Sequence, residues 1–167
     1  DRIFDMGSGA QNNNIVLTRF WTSSKLVYQT YNGVGGLPTT SYFSGDGVVQ
    51  TNAITPYASS VTAGTAPVLY AGSNFGVVPS SYDSGWTSTA APAVAARTTS
   101  YIAKSEWADG NSTVSVANAI IYAAPLTSTQ VIALNTEMNR SFGTATLTVG
   151  AAASTTFAGK IQNRSEE

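Results

Sequence analysis

Two short runs of β-branched and aromatic residues, Ile15-Val-Leu-Thr-Arg-Phe20 and Lys25-Leu-Val-Tyr-Gln-Thr-Tyr31, lie only a few positions apart. Side chains of this kind lose freedom against the preceding turn of a helix and pack well on a pleated surface, so both runs read as strands. Ser23-Ser24 separates them and Asn32-Gly33 follows as a turn, which makes the pair a hairpin. Ahead of it, Arg2-Ile-Phe-Asp-Met6 is a further strand ending at Gly7-Ser-Gly9, and Asn12 to Asn14 form a polar turn.

The same texture returns later, at Thr99 to Lys104, Val114 to Val116 and Ala119 to Tyr122, where Pro125 closes the run. Thr127-Ser-Thr-Gln130 has the form of a capping box and predicts one helix from Ser128 to about Ser141. Val131, Leu134 and Met138 share a face of that helix, and Gly143 is placed to stop it. Strand-like runs follow at Thr144 to Val149 and Thr155 to Ile161, and residues 162–167 read as a terminal tail or linker.

Residues 32–98 hold all but one of the six prolines and many Gly, Ser and Thr, so they read as a long irregular segment. Gly47 to Gln50, Pro67 to Tyr70 and Phe75 to Val78 are short apolar pieces within it. Aromatic residues such as Tyr42, Phe43, Tyr57, Tyr70, Phe75, Tyr82 and Trp86 predict that contact holds this segment in order. Many short strands, turn signals and one helix predict an all-β sandwich, a single domain over residues 1–161.

Chemistry is restricted by what is missing. The chain has no His, which removes the commonest general base and the Ser-His-Asp and Cys-His constellations. It has no Cys, so there is neither a disulfide framework nor a thiolate metal site. Charged residues make up 10% and the net charge is −1, with the basic residues scattered. Nothing here attracts nucleic acid or anionic lipid, and no apolar run approaches the roughly 20 residues needed to span a bilayer. Hydroxyls and amides stand where charges usually do, which suits a secreted, cell-surface or virion protein, or a subunit largely covered by its neighbours.

Three segments resemble the concanavalin A-like jelly roll in its laminin-G-like (LamG-like) branch. Asp1-Arg-Ile-Phe-Asp-Met-Gly-Ser-Gly9 is similar to that family's strand and turn. Asn13-Asn-Ile-Val-Leu-Thr-Arg19, Leu26-Val-Tyr28 and Tyr31-Asn-Gly33 are similar to its next hairpin. Tyr101-Ile-Ala-Lys-Ser-Glu-Trp107, Ala119-Ile-Ile-Tyr122 and Pro125-Leu-Thr-Ser-Thr-Gln-Val131 look like its closing strands and helix. The resemblance implies a jelly-roll-like β-sandwich with one short helix near the C-terminal third, and carbohydrate or protein binding on its concave face or loops. The first jelly-roll strands would then precede Asp1, so the chain is expected to be a processed product or a piece of something longer.

Each candidate site has a plainer structural reading beside it. Glu106 and Asp109 flank Trp107, an aromatic plate with carboxylates of the kind a sugar site uses, yet a core Trp with solvated neighbours is the favoured reading. Trp86 and Tyr82, in Tyr82-Asp-Ser-Gly-Trp86, are ligand-contact candidates, and Trp21 and Tyr42 also stand beside Ser/Thr-rich loops. Asp5, Asn12 and Asn14 supply oxygens suited to Ca²⁺, although Asn side chains that bond their own backbone account for this turn more simply. No other cofactor is indicated. Asn111, Asn139 and Asn163 begin sequons for N-glycosylation. Asp1 and Asp5 can share a strand face, but no strand carries the acidic pair a jelly-roll glycosidase needs.

These features predict a non-catalytic structural subunit or decoration of an extracellular or virion surface assembly. Its partners would be copies of itself or neighbouring subunits. The alternative is a lectin-like, carbohydrate-binding adhesion module.

Overall fold

The computed structural model describes residues 2–32, 37–62, 65–72, 76–82, 92, 94–109, 111–113 and 116–142. The all-β sandwich with one short helix is the architecture that forms. Its strands are β1 (Arg2–Gly7), β2 (Ile15–Arg19), β3 (Leu26–Thr30), β4 (Thr40–Ser44), β5 (Tyr57–Ser60), β6 (Val68–Ala71), β7 (Gly76–Val78), β8 (Ser80–Tyr82) and β9 (Thr99–Ile102), followed by α1 (Ser128–Phe142). Six strands form one antiparallel sheet in the order β8-β4-β3-β2-β1-β9, and β5-β6-β7 form a second.

The expected hairpin is β2–β3, with Leu17 opposite Tyr28 and Val16 opposite Gln29. β1 pairs with β2 on one side and β9 on the other, so Asp5 lies opposite both Val16 and Tyr101. Strand periodicity explains the layering. Leu17, Leu26 and Tyr28 of the large sheet pack on Leu69 of β6, all 0–1% exposed, and this contact joins the two sheets. The next residue, Tyr70, points the opposite way and packs with Val131 of α1. The small sheet is therefore enclosed between the large sheet and the helix. Burying a side chain the size of Leu69 contributes about 1.5–3 kcal/mol.

The capping box closes as its spacing predicts. The Thr127 N–H donates to Gln130 Oε1 at 2.9 Å, and the Gln130 N–H donates to Thr127 Oγ1 at 3.3 Å. The helix start is also fixed to the small sheet, by Ser60 Oγ donating to the Leu126 carbonyl and by Tyr70 and Ser128 sharing a 3.0 Å hydrogen bond. Val131 is buried, and Leu134 and Met138 are half-buried on the same face.

Two readings are corrected: the irregular middle and the strands expected at Val116 and Ala119 to Tyr122. The segment 32–98 is not irregular throughout: it supplies five strands, β4 to β8. Its hydroxyl-rich strands hide their character because their polar groups bond across the sheet. Gln29 Nε2 donates to Ser41 Oγ at 3.1 Å, and the Leu26 N–H donates to Ser44 Oγ at 2.8 Å. Gly47 to Gln50, one of the short apolar pieces, lies outside any strand. Ala119 to Tyr122 also forms no strand: it runs without a sheet neighbour among the described residues, and β propensity makes a strand only where an edge is offered. Val116 is likewise outside any strand, while Val114, Ser115 and the runs 144–149 and 155–161, with the tail 162–167, lie outside the described residues.

Candidate functional site

The polar side chains of the chain converge where β1 meets the loop that leaves β9. Ala103 turns that loop with a φ of 57°, its N–H donating to the Ile3 carbonyl at 3.1 Å. The chain then folds back, with Lys104 bridged to Asn111 and the Ser112 N–H donating to the Ala103 carbonyl at 2.8 Å. This lays residues 105–109 over β1.

Asp5 anchors the arrangement from below and is fully buried. Its Oδ1 accepts from Asn14 Nδ2 at 2.9 Å, and its Oδ2 accepts from the Glu106 N–H at 3.0 Å. Burial in this apolar surrounding pushes the Asp5 carboxyl above the usual carboxylate range, against the two hydrogen bonds and the Arg2 charge, which pull it down. Asn14 is also fully buried, and its Oδ1 has no hydrogen-bond partner. Gly7 makes room for this pair, because a Cβ there would strike the Asn14 amide.

Arg2 holds the loop from above. Its N–H donates to Ser112 Oγ at 2.7 Å, its Nε to Ser105 Oγ at 3.3 Å, and its Nη2 reaches Asp109 at 3.5 Å. The guanidinium lies 5.0 Å from the centre of the Trp107 ring, while Tyr31 meets that ring edge-on with centroids 5.0 Å apart. Trp107 is thus half-buried between a cation and a phenol, and burial raises the Tyr31 hydroxyl above its ordinary value. Glu106 accepts from the Thr99 hydroxyl.

Of the residues the sequence singled out, Asp5, Asn14, Glu106, Trp107 and Asp109 come together. The arrangement is a clamp of groups bonded to one another, not an open cleft. Of the residues read as a Ca²⁺ set, Asp5 and Asn14 bond to each other, while Asn12 is exposed and donates to the Ser8 carbonyl at 3.1 Å. Asn111 is exposed, Asn139 lies in α1, and Asn163 lies outside the described residues. Tyr82 stands opposite Tyr42 at the β4–β8 pairing, and Trp86 lies outside the described residues.

Arg2, Tyr31, Thr99 and Ser105 complete the clamp, and sequence reasoning did not single them out. Only Arg2 carries a signal, as a lone cation on a strand between acidic residues. Two of the exposed apolar features among the described residues bear on the surface. One is the stretch of Val116, Ile120, Ile121 and Tyr122, each 44–67% exposed, beside a groove of about 380 Å³ lined by Tyr122, Leu126, Gln130, Ala133, Leu134 and Glu137. The other is Trp21 at the tip of the β2–β3 hairpin, 81% exposed. Compared with known proteins, the chain matches no family model, no curated protein and no solved structure.

Proposed function

We propose that the chain is a non-catalytic structural subunit or decoration of an extracellular or virion surface assembly, meeting its neighbours through the surface around Ala119 to Tyr122. The observation that carries this reading is the exposed apolar stretch of Val116, Ile120, Ile121 and Tyr122. No charged residue occurs between Asp109 and Glu137, so the stretch itself carries no charge into an interface. Arg2, Asp5, Glu106 and Asp109 are engaged with clamp partners, and Asp5 itself has no contact with solvent. The resemblance to the concanavalin A-like jelly roll supports a place on a surface.

Light scattering across a concentration series tests the proposal. Self-association that Ile121→Lys abolishes, with the fold intact by circular dichroism, is the expected result. A monomer at every concentration counts against it.

A further inference from the structure

We propose that the outer edge of β5 receives one extended strand from a neighbouring copy of the chain, and that Thr144 to Val149 is the strand donated. The proposal deepens the assembly reading and rests on it, naming the element by which one copy holds the next.

The first observation is a second layer narrower than the first. Ile102, Phe4, Leu17 and Tyr28 stand opposite one another in turn across β9, β1, β2 and β3, so they share one face of the large sheet. Leu17 and Tyr28 are 1% exposed beneath Leu69, but Phe4 is half-buried and Ile102 is 51% exposed. The cause is topological. Pro79 alone joins β7 to β8, and β8 lies beside β4, so β7 sits toward that edge of the large sheet and β5 toward β1. Adjacent strands lie about 4.8 Å apart, which leaves β1 and β9 overhanging the small sheet by the width of one to two strands.

The second observation is the character of the lane under that overhang. Among the described residues no strand pairs with the outer edge of β5, so backbone N–H and C=O groups border the lane on one side. Phe4 and Ile102 roof it. No charged residue occurs between Asp46 and Asp83, so the small sheet brings no charge to it. The register shift between Arg2 and Phe4 turns Arg2 to the face of Asp5, where it meets Ser105, and keeps its charge out of the lane.

The third observation is the shape of the occupant. Two β5 edges cannot pair with each other, because the overhang of each large sheet would strike that of the other. One extended segment fits, with every second side chain apolar to cover Phe4 and Ile102. Thr144-Ala-Thr-Leu-Thr-Val149, outside the described residues, has that pattern: Ala145, Leu147 and Val149 alternate with threonine, and no charge occurs between Arg140 and Lys160. Only Gly143 separates this run from α1. Through Val131 and Tyr70, α1 packs on the face of the small sheet turned away from β1, about 10 Å from the plane of the lane. One residue spans about 3.5 Å, so a copy's own run would spend much of its length changing layer. A neighbour's run enters the lane lengthwise. Donor and receiving edge are different surfaces, so the contact is heterologous and passes from copy to copy.

The test is complementation between two variants of the full chain, read by light scattering, with circular dichroism as the check on folding. Leu147→Asp spoils the donor, and Ile102→Asp places a charge at an already exposed position of the lane. Each variant alone should associate at least tenfold more weakly than the parent, and an equal mixture should recover association that neither shows alone. A synthetic peptide of residues 143–151 should bind the Leu147→Asp chain and not the Ile102→Asp chain. The proposal is overturned if the mixture associates no better than its components, or if the peptide binds both variants alike. If Ile121→Lys abolishes association while Leu147→Asp and Ile102→Asp leave it unchanged, the assembly reading stands and this inference alone falls. A parent that stays monomeric while its Leu147→Asp variant takes up the peptide places the run on its own β5, which overturns donation between copies.

Discussion

The carboxylate of Asp5 and the backbone N–H of Glu106 are hydrogen-bonded at 3.0 Å although 101 positions separate them in the chain. The bond ties the second half of the described chain to its first strand, and it does so with a group that burial drives toward its neutral form. A neutral Asp5 would donate to the Asn14 amide oxygen once that amide turns over, giving a partner to the atom that lacks one.

Asp5→Asn should therefore be tolerated, whereas Asp5→Ala should cost about 1–3 kcal/mol by leaving the Asn14 amide and the Glu106 N–H unpaired. The pH dependence has a definite sign. The folded-state pKa lies above the unfolded value, so the folded state binds the proton more tightly. The stability this provides is full below the unfolded pKa and is lost as pH rises through the folded one. Urea denaturation of the parent and Asp5→Asn from acid to neutral pH should show the variant gaining relative to the parent as pH rises. A constant difference rules this out.

Gly7→Ala should destabilise by about 1–3 kcal/mol, because the added methyl would collide with the buried Asn14 amide. The double variant Gly7→Ala with Asn14→Ala should lose less than the sum of the two single changes. Chemical denaturation of all four proteins measures the coupling.

Leu69→Ala removes the side chain through which the small sheet meets Leu17, Leu26 and Tyr28. The expected loss is about 2–5 kcal/mol. Hydrogen exchange should show protection falling in β5, β6 and β7 before it falls in β2 and β3, which keep their partners in the large sheet.

Thr127→Ala should cost about 1 kcal/mol and fray the first turn of α1, since Thr127 Oγ1 both accepts from the Gln130 N–H and bonds the Gln130 side chain. The far-ultraviolet helix signal and the thermal midpoint should fall together. Restoring the cap with Thr127→Ser should recover most of both.

The elements legible in the sequence were those whose local signal agrees with their surroundings. Ile15 to Arg19 and Leu26 to Thr30 are buried and β-branched or aromatic, and Thr127 and Gln130 cap a helix wherever they stand at this spacing. Thr40 to Ser44 was hidden because Thr40, Ser41 and Ser44 are buried hydroxyls, and polar residues announce a core only through partners far along the chain. Ala119 to Tyr122 carries the signal of a strand without the edge that would make it one. At the clamp, Trp107, Glu106 and Asp109 could be named from their spacing. That Arg2 and Tyr31 would enclose Trp107 depends on β1 lying beside β9, which no local pattern encodes.

That same neighbour relation governs how the chain leaves the ribosome. β1 to β4 can pair in the order they are made, but the outer edge of β1 waits for Thr99 to Ile102. At about 5–20 residues per second, several seconds pass between the emergence of β3 and that of β9. Throughout that interval a nascent chain holds a finished hairpin with one bare flank, beside other nascent chains in the same state on the same message. Slowing translation between Thr40 and Arg97 lengthens the exposure, and speeding it shortens the exposure. The time needed to make residues 40–97 thus fixes how long the outer edge of β1 waits for its partner strand.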